Sequence, residues 1–94
     1  RIARSINYQV NIHAIGDSTN QIALGIITKH TKGKVDHRWR IEHAQVIDPA
    51  DFLAFAKAGV IPSVQPVHAV SDHKWVAKRI GKSEWLVHTL IKPY

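Results

Sequence analysis

The sequence predicts an α/β fold built on parallel strands, and three observations carry that prediction. Strand-like and helix-like segments alternate in the order β-α-β-α-β-α along 94 residues. The connections between them are short, which for strand–helix–strand units means parallel strands and right-handed crossovers. His13 and His43 each close a strand-like run, and their spacing of 30 residues (43 − 13) is close to that of one βαβ unit.

The first strand is expected at Tyr8-Gln9-Val10-Asn11-Ile12, which alternates with period two. Asp17 or Ser18 is placed to cap the helix that follows, in which Ile22, Ala23, Ile26 and Ile27 share one face. Thr31-Lys32-Gly33-Lys34 ends that helix, with Gly33 free to take positive φ. The second strand is Arg38 to His43. Asp48-Pro49 then starts a helix: the Asp side chain can accept from free amide groups, and proline loses nothing at the first helical position. Phe52, Leu53, Phe55 and Ala56 form its expected buried face, and Ala58-Gly59 closes it. Val60 to Val64 is the third strand, although Pro62 lacks a ladder donor. A loop from Gln65 to Asp72 leads to a helix from Lys74 to Ile80, which Gly81 and Ser83 break, and a last short helix is expected from Glu84 to Ile91. No repeat, low-complexity segment or linker divides residues 1–94, so they read as one domain or a part of one.

Composition narrows the function classes. At 45% hydrophobic the chain is globular rather than disordered. Without cysteine it can form neither a disulfide nor a thiolate metal site. It contains no methionine and begins Arg1-Ile2-Ala3-Arg4, neither a translation start nor a signal peptide. A natural start further upstream is therefore expected, and the compartment stays unknown. No apolar run approaches the roughly 18 residues that span a bilayer, so a soluble piece with no membrane partner is expected. The net charge of +6 raises nucleic acid as a partner. The bases are dispersed, however, and Asp36, Glu42, Asp72 and Glu84 interrupt them, so solvated faces are the favoured reading.

Polar groups gather at the carboxyl ends of the expected strands, where parallel α/β sheets bind ligands. The first strand ends Ile12-His13-Ala14-Ile15-Gly16-Asp17, the second Glu42-His43-Ala44-Gln45, and the third runs on to Gln65-Pro66-Val67-His68-Ala69-Val70-Ser71-Asp72. Adjacent strands lie about 4.8 Å apart, so His13 and His43 can point at a common ion, and neutral imidazole suits zinc and similar metals. Among seven histidines some coincidence of spacing is expected. For each the alternative is a surface or hydrogen-bonded ring. His68 is the weaker ligand candidate, and His30, His37, His73 and His88 read as surface residues.

Asn11-Ile12-His13-Ala14-Ile15-Gly16-Asp17, then Arg40-Ile41-Glu42-His43-Ala44-Gln45, then Gln65-Pro66 with His68 and Ser71-Asp72, resemble the amidohydrolase superfamily over nearly the whole chain. The branch they resemble is that of the N-substituted formamide deformylases and exoenzyme regulatory proteins. The resemblance implies a partial (β/α)8 TIM-type barrel, with residues 1–94 matching strands five to seven and residues 1–5 the tail of the preceding helix. It implies that His13 and His43 hold a divalent metal, zinc first, with one or two ions in the complete enzyme. His68 and Asp72 match a loop bordering the substrate pocket, and Glu42 and Gln45 flank a ligand, where they can support it or simply pack. Asp17 more readily caps its helix or buttresses the turn.

The histidine pair after the first barrel strand, the lysine of the fourth and the general-base aspartate of the eighth have no counterparts here. No catalytic residue is therefore assigned within these residues. The implied reaction is hydrolysis of an amide or related C–N bond in a small molecule by metal-activated water. The piece alone is expected to be inactive, to bind metal weakly and to self-associate through open strand edges unless the remainder of the barrel covers them. The rival from another class is a small basic interaction module in which Trp39, between Arg38 and Arg40, stacks on a nucleic-acid base; packing of Trp39 in the core is favoured over it.

Overall fold

The computed structural model describes residues 2–72, 74, 75 and 78. A short helix α1 (Ile2–Ser5) leads to strand β1 (Asn11–Ala14) and the long helix α2 (Asp17–Thr31). Strand β2 (Arg40–His43) follows, then a 3₁₀ turn (Pro49–Asp51) running into α3 (Phe52–Ala58), strand β3 (Ile61–Ser63) and helix α4 (Val67–Ser71). The three strands form one parallel sheet in the order β1-β2-β3. Asn11 to Ala14 lie in register with Arg40 to His43, and Arg40 to Glu42 with Ile61 to Ser63.

The first strand lies three residues later than the alternation of residues 8–12 suggests. Tyr8 is exposed, and its N–H is taken by Ala3 C=O in α1, so it never reaches the ladder. In α2 the buried stripe is Asn20, Ala23, Leu24, Ile27 and Thr31, while Ile22 and Ile26 face solvent. The expected face is thus half right: Ala23 and Ile27 are inside. The hydrophobic signal was diluted because two polar residues share the buried stripe, each bonding backbone carbonyls: Thr31 Oγ1 to Ile27 C=O, and Asn20 in the turn before the helix. Likewise in α3, Phe55 and Ala58 are buried but Leu53 and Ala56 are exposed.

The helix ends follow chain chemistry. Asp48 accepts from Ala50 N–H with Pro49 at the first helical position, as expected. Neither Asp17 nor Ser18 caps α2: the cap position is Gly16, and the Asp17 carboxylate instead accepts from Ser18 N–H. Lys32 in left-handed conformation and Gly33 at φ +77 end α2. The α3 terminus is a Schellman arrangement, with Gly59 N–H bonding Ala56 C=O and Val60 N–H bonding Phe55 C=O. The segment read as a loop between Gln65 and Asp72 contains α4. Of the helix expected from Lys74 to Ile80, only Lys74, Trp75 and Lys78 are described, and the one expected from Glu84 to Ile91 lies outside the described residues.

The core fills one side of the sheet. Ile27, Ile41 and Ile47 are fully buried, and Leu24, Trp39, Phe55, Val60 and several alanines pack around them. Trp39 is 7% exposed, so it is core, not a platform for a base. His37, expected at the surface, is half-buried. Its Nδ1 accepts from Trp39 N–H at 2.9 Å and its Nε2 meets Ala58 C=O at 2.6 Å. One tautomer, protonated at Nε2, satisfies both bonds and clips the entry of β2 to the end of α3.

Candidate metal and substrate site

The other side of the sheet is polar. Along a strand side chains alternate between faces, so Asn11, His13, Arg40, Glu42, Ile61 and Ser63 share the side away from the helices. Arg40 Nε donates to Glu42 Oε1 at 2.9 Å. The Ser63 hydroxyl bonds the same carboxyl and, with Arg40, holds Glu42 below the usual carboxylate range against the opposing effect of partial burial. Glu42 is thus engaged with Arg40 and Ser63 beside His13, its register partner.

Simple alternation would put His43 on the helix side with Ile41. It does not lie there, because the chain leaves extended geometry at that residue. His43 has φ +73 and Ala44 φ +44, a left-handed pair without glycine. Such backbone costs on the order of 1–3 kcal/mol per residue and gathers at functional sites. The turn brings the His43 ring to 5.2 Å from the His13 ring, centroid to centroid, with planes at 46°. His68, carried on α4, continues the row at 5.4 Å from His43. Three imidazoles therefore line the carboxyl ends of the strands, as the sequence motifs anticipate.

The two flanking residues separate in role. Gln45 is buried and donates from Nε2 to Asp72 Oδ2 at 2.8 Å, tying the end of β2 to α4. Ser71 Oγ donates to the other oxygen of Asp72 at 2.9 Å, and His68 Nδ1 stands 3.5 Å from the carboxylate. His68 Nε2 meets Gln65 Oε1 at 2.7 Å. These donors, Gln45 first, hold the Asp72 pKa below its ordinary value despite partial burial. A carboxyl with a depressed folded pKa stabilises above its unfolded pKa and loses that contribution as pH falls through the folded value. On acidification below about 3.9, the unfolding midpoint is therefore expected to fall more for the wild type than for Asp72→Asn. Unfolding curves between pH 2 and 6 check it; parallel pH profiles for the two proteins would mean the Asp72 cluster does not couple to folding.

Among the described residues no group of three or more histidine, aspartate or glutamate side chains is arranged to hold a metal ion. The pair His13 and His43 fits as part of such a set. Two imidazoles bonded to one tetrahedral ion at about 2.0–2.1 Å place their centroids roughly 5 Å apart. The His43 Nδ1 is buried without a hydrogen-bond partner among the described residues, an unmet bonding capacity at the site. A cavity of about 920 Å³ lies elsewhere, at the amino ends of the strands, where Arg4, Tyr8, Lys34, Arg38 and Trp39 line it. None of the residues in the histidine row borders it.

The chain matches the amidohydrolase family over residues 1–93. It belongs to the amidohydrolase family. The chain is also similar to two curated proteins, one of them named as an amidohydrolase. "Protein LONG AFTER FAR-RED 3" of Arabidopsis thaliana is 38% identical over 90 residues, covering 88% of this chain. "Putative amidohydrolase YtcJ" of Bacillus subtilis (strain 168) is 37% identical over 82 residues, covering 87%. The chain spans 15% of the length of each. No solved structure matches it significantly. Three parallel strands alternating with helices are what part of an amidohydrolase barrel presents, and amidohydrolases are hydrolases that generally use divalent metals. No helix among the described residues is long and apolar enough to cross a membrane.

One buried residue next to the histidine row escaped the sequence reading. Asn20 sits on the expected helix but off the expected apolar face, and only its complete burial distinguishes it.

Proposed function

We propose that this chain supplies strands five to seven of an amidohydrolase barrel whose complete enzyme hydrolyses an amide or related C–N bond in a small molecule. The observation that carries the reading is the approach of the His13 and His43 rings, 5.2 Å apart, at the carboxyl ends of adjacent parallel strands. In this reading the two neutral imidazoles hold a divalent metal, zinc being the first candidate. When bound, such an ion acidifies a water enough to attack at neutral pH and polarises the substrate carbonyl. The chain's own residues bind and orient. The left-handed turn at His43 and Ala44 aims one ligand. The Arg40–Glu42 pair gives the sheet face beside His13 a fixed charge arrangement. His68 and Asp72 border the substrate, with the His68 ring oriented by Gln65 and Asp72. The proton-transferring carboxylate belongs to a strand outside this sequence.

The residues by themselves are inert in this reading. The polar sheet face and the outer edges of β1 and β3 are what the rest of the barrel covers, and alone they invite association between copies. The test compares the isolated chain with the full protein that carries it. The full protein is expected to hydrolyse N-acyl or N-formyl amines, to lose that activity to a chelator and to regain it with zinc. The isolated chain is expected to bind zinc weakly, to hydrolyse none of these substrates and to sediment as concentration-dependent oligomers. Tight stoichiometric zinc binding by the chain alone, or a monomer across a wide concentration range, would count against the incomplete-barrel part of the reading.

A further inference from the structure

Asn20 is fully buried in the first turn of α2, and its Nδ2 group faces four carbonyl oxygens. Three belong to the turn directly after His13: Ala14 at 3.2 Å, Ile15 at 3.3 Å and Gly16 at 2.8 Å. The fourth is Val46 at 3.3 Å, three residues past His43. A side-chain amide has two N–H groups, so at least some of these bonds are shared. Asn20 Oδ1, buried beside them, has no partner among the described residues. The same two turns also touch through backbone: Ala44 N–H donates to Ala14 C=O, and Val46 N–H to Ile15 C=O.

We infer that Asn20 is a positioning residue for the histidine pair: it fixes the turn that follows His13 against the turn that follows His43. The inference rests on the reading of these histidines as metal ligands. A helix-start asparagine usually satisfies amide N–H groups of its own helix through its oxygen. Here the polarity is reversed: the amide donates, the acceptors lie in two separate turns, and one is distant in sequence by 26 residues. That arrangement gives little to α2 alone. It couples the ends of β1 and β2, where the left-handed backbone of His43 and Ala44 needs holding. Groups that orient metal ligands without touching the metal are worth about 10–100-fold in affinity.

The experiment measures zinc affinity by chelator competition on the full protein, with the thermal midpoint of the metal-free form recorded beside it. Asn20→Leu keeps the volume and removes the donors. Its zinc affinity is expected to fall by about tenfold or more in protein that is still folded, with Asn20→Ser, which retains one donor, in between. Folded Asn20→Leu that binds zinc within about twofold of wild type would overturn the inference, leaving Asn20 a purely structural residue whatever its effect on the midpoint. If Asn20→Leu does not fold, Asn20→Ser is judged by the same criterion. His13→Ala and His43→Ala run alongside separate the two ideas. If they leave zinc affinity unchanged, the metal reading fails and this one with it. If they abolish binding while the Asn20 variants do not, this inference alone fails.

Discussion

Gly59→Ala is expected to destabilise the fold by about 2–4 kcal/mol, a large share of the stability of a small α/β unit. Two costs combine. Gly59 has φ +64, and an alanine there adopts left-handed backbone at a cost of about 1 kcal/mol. The added Cβ also runs into Val35 O and lands 2.6 Å from Val35 Cα. Those are backbone atoms, so no rotamer change relieves the contact, and the turn before β2 has to move. Forced overpacking of this kind costs about 1–3 kcal/mol further. Gly33→Ala is the control. Gly33 also has positive φ, at +77, but nothing lies within 4 Å of its Cβ position, so only the conformational cost applies. The difference between the two urea midpoints isolates the approach of the α3 terminus to the Val35 turn. Equal midpoints would mean that the close approach does not exist in solution.

That close approach marks the boundary of what the sequence made legible. Gly59 as the stop of α3 was readable, because a glycine after an apolar helix face is a local signal. Its second role, letting another segment's backbone pass, depends on residue 35 and has no local signature. The alternation of the three strands with the two helices between them and the parallel sheet were readable for the same reason, since each follows from period and from short connections; α4, read as loop, was not. The face of α2 was only half readable. Ile22 and Ile26 look like core by hydropathy, yet Asn20 and Thr31 are inside, because polar side chains that bond backbone carbonyls cost little to bury. Exposed isoleucines on α2 are also what remains visible when a helix belongs to a ring of helices in a larger barrel. At the site, the motifs pointed to His13 and His43 as a pair and to His68 separately, as a weaker ligand candidate and a candidate substrate contact; the three rings form one row. They gave no hint that His43 reaches that row only through left-handed backbone, since nothing in Glu42-His43-Ala44 advertises positive φ.

The left-handed turn leads to the second large effect. In the full protein, His13→Ala and His43→Ala are each expected to lower zinc affinity by at least about 100-fold, beyond the range for groups that only orient a ligand, and to remove hydrolytic activity with it. Their effects on stability should differ. In the isolated chain His13 is exposed on the open sheet face, and there its truncation is expected to leave the metal-free stability within about 0.5 kcal/mol of wild type, as for surface substitutions. His43 is half-buried at φ +73, so His43→Ala loses packing while keeping the strained backbone. His43→Gly loses the same ring but relieves the strain, and is expected to be more stable than His43→Ala by about 1 kcal/mol. The pattern separates function from fold: both His43 variants lose zinc alike, while the metal-free form recovers stability only with glycine. A conformation that glycine improves, kept with histidine, is explained by what the imidazole does there. If His43→Gly were no more stable than His43→Ala, the turn would carry no strain. If either His43 variant still bound zinc with wild-type affinity, the ring would not be a ligand.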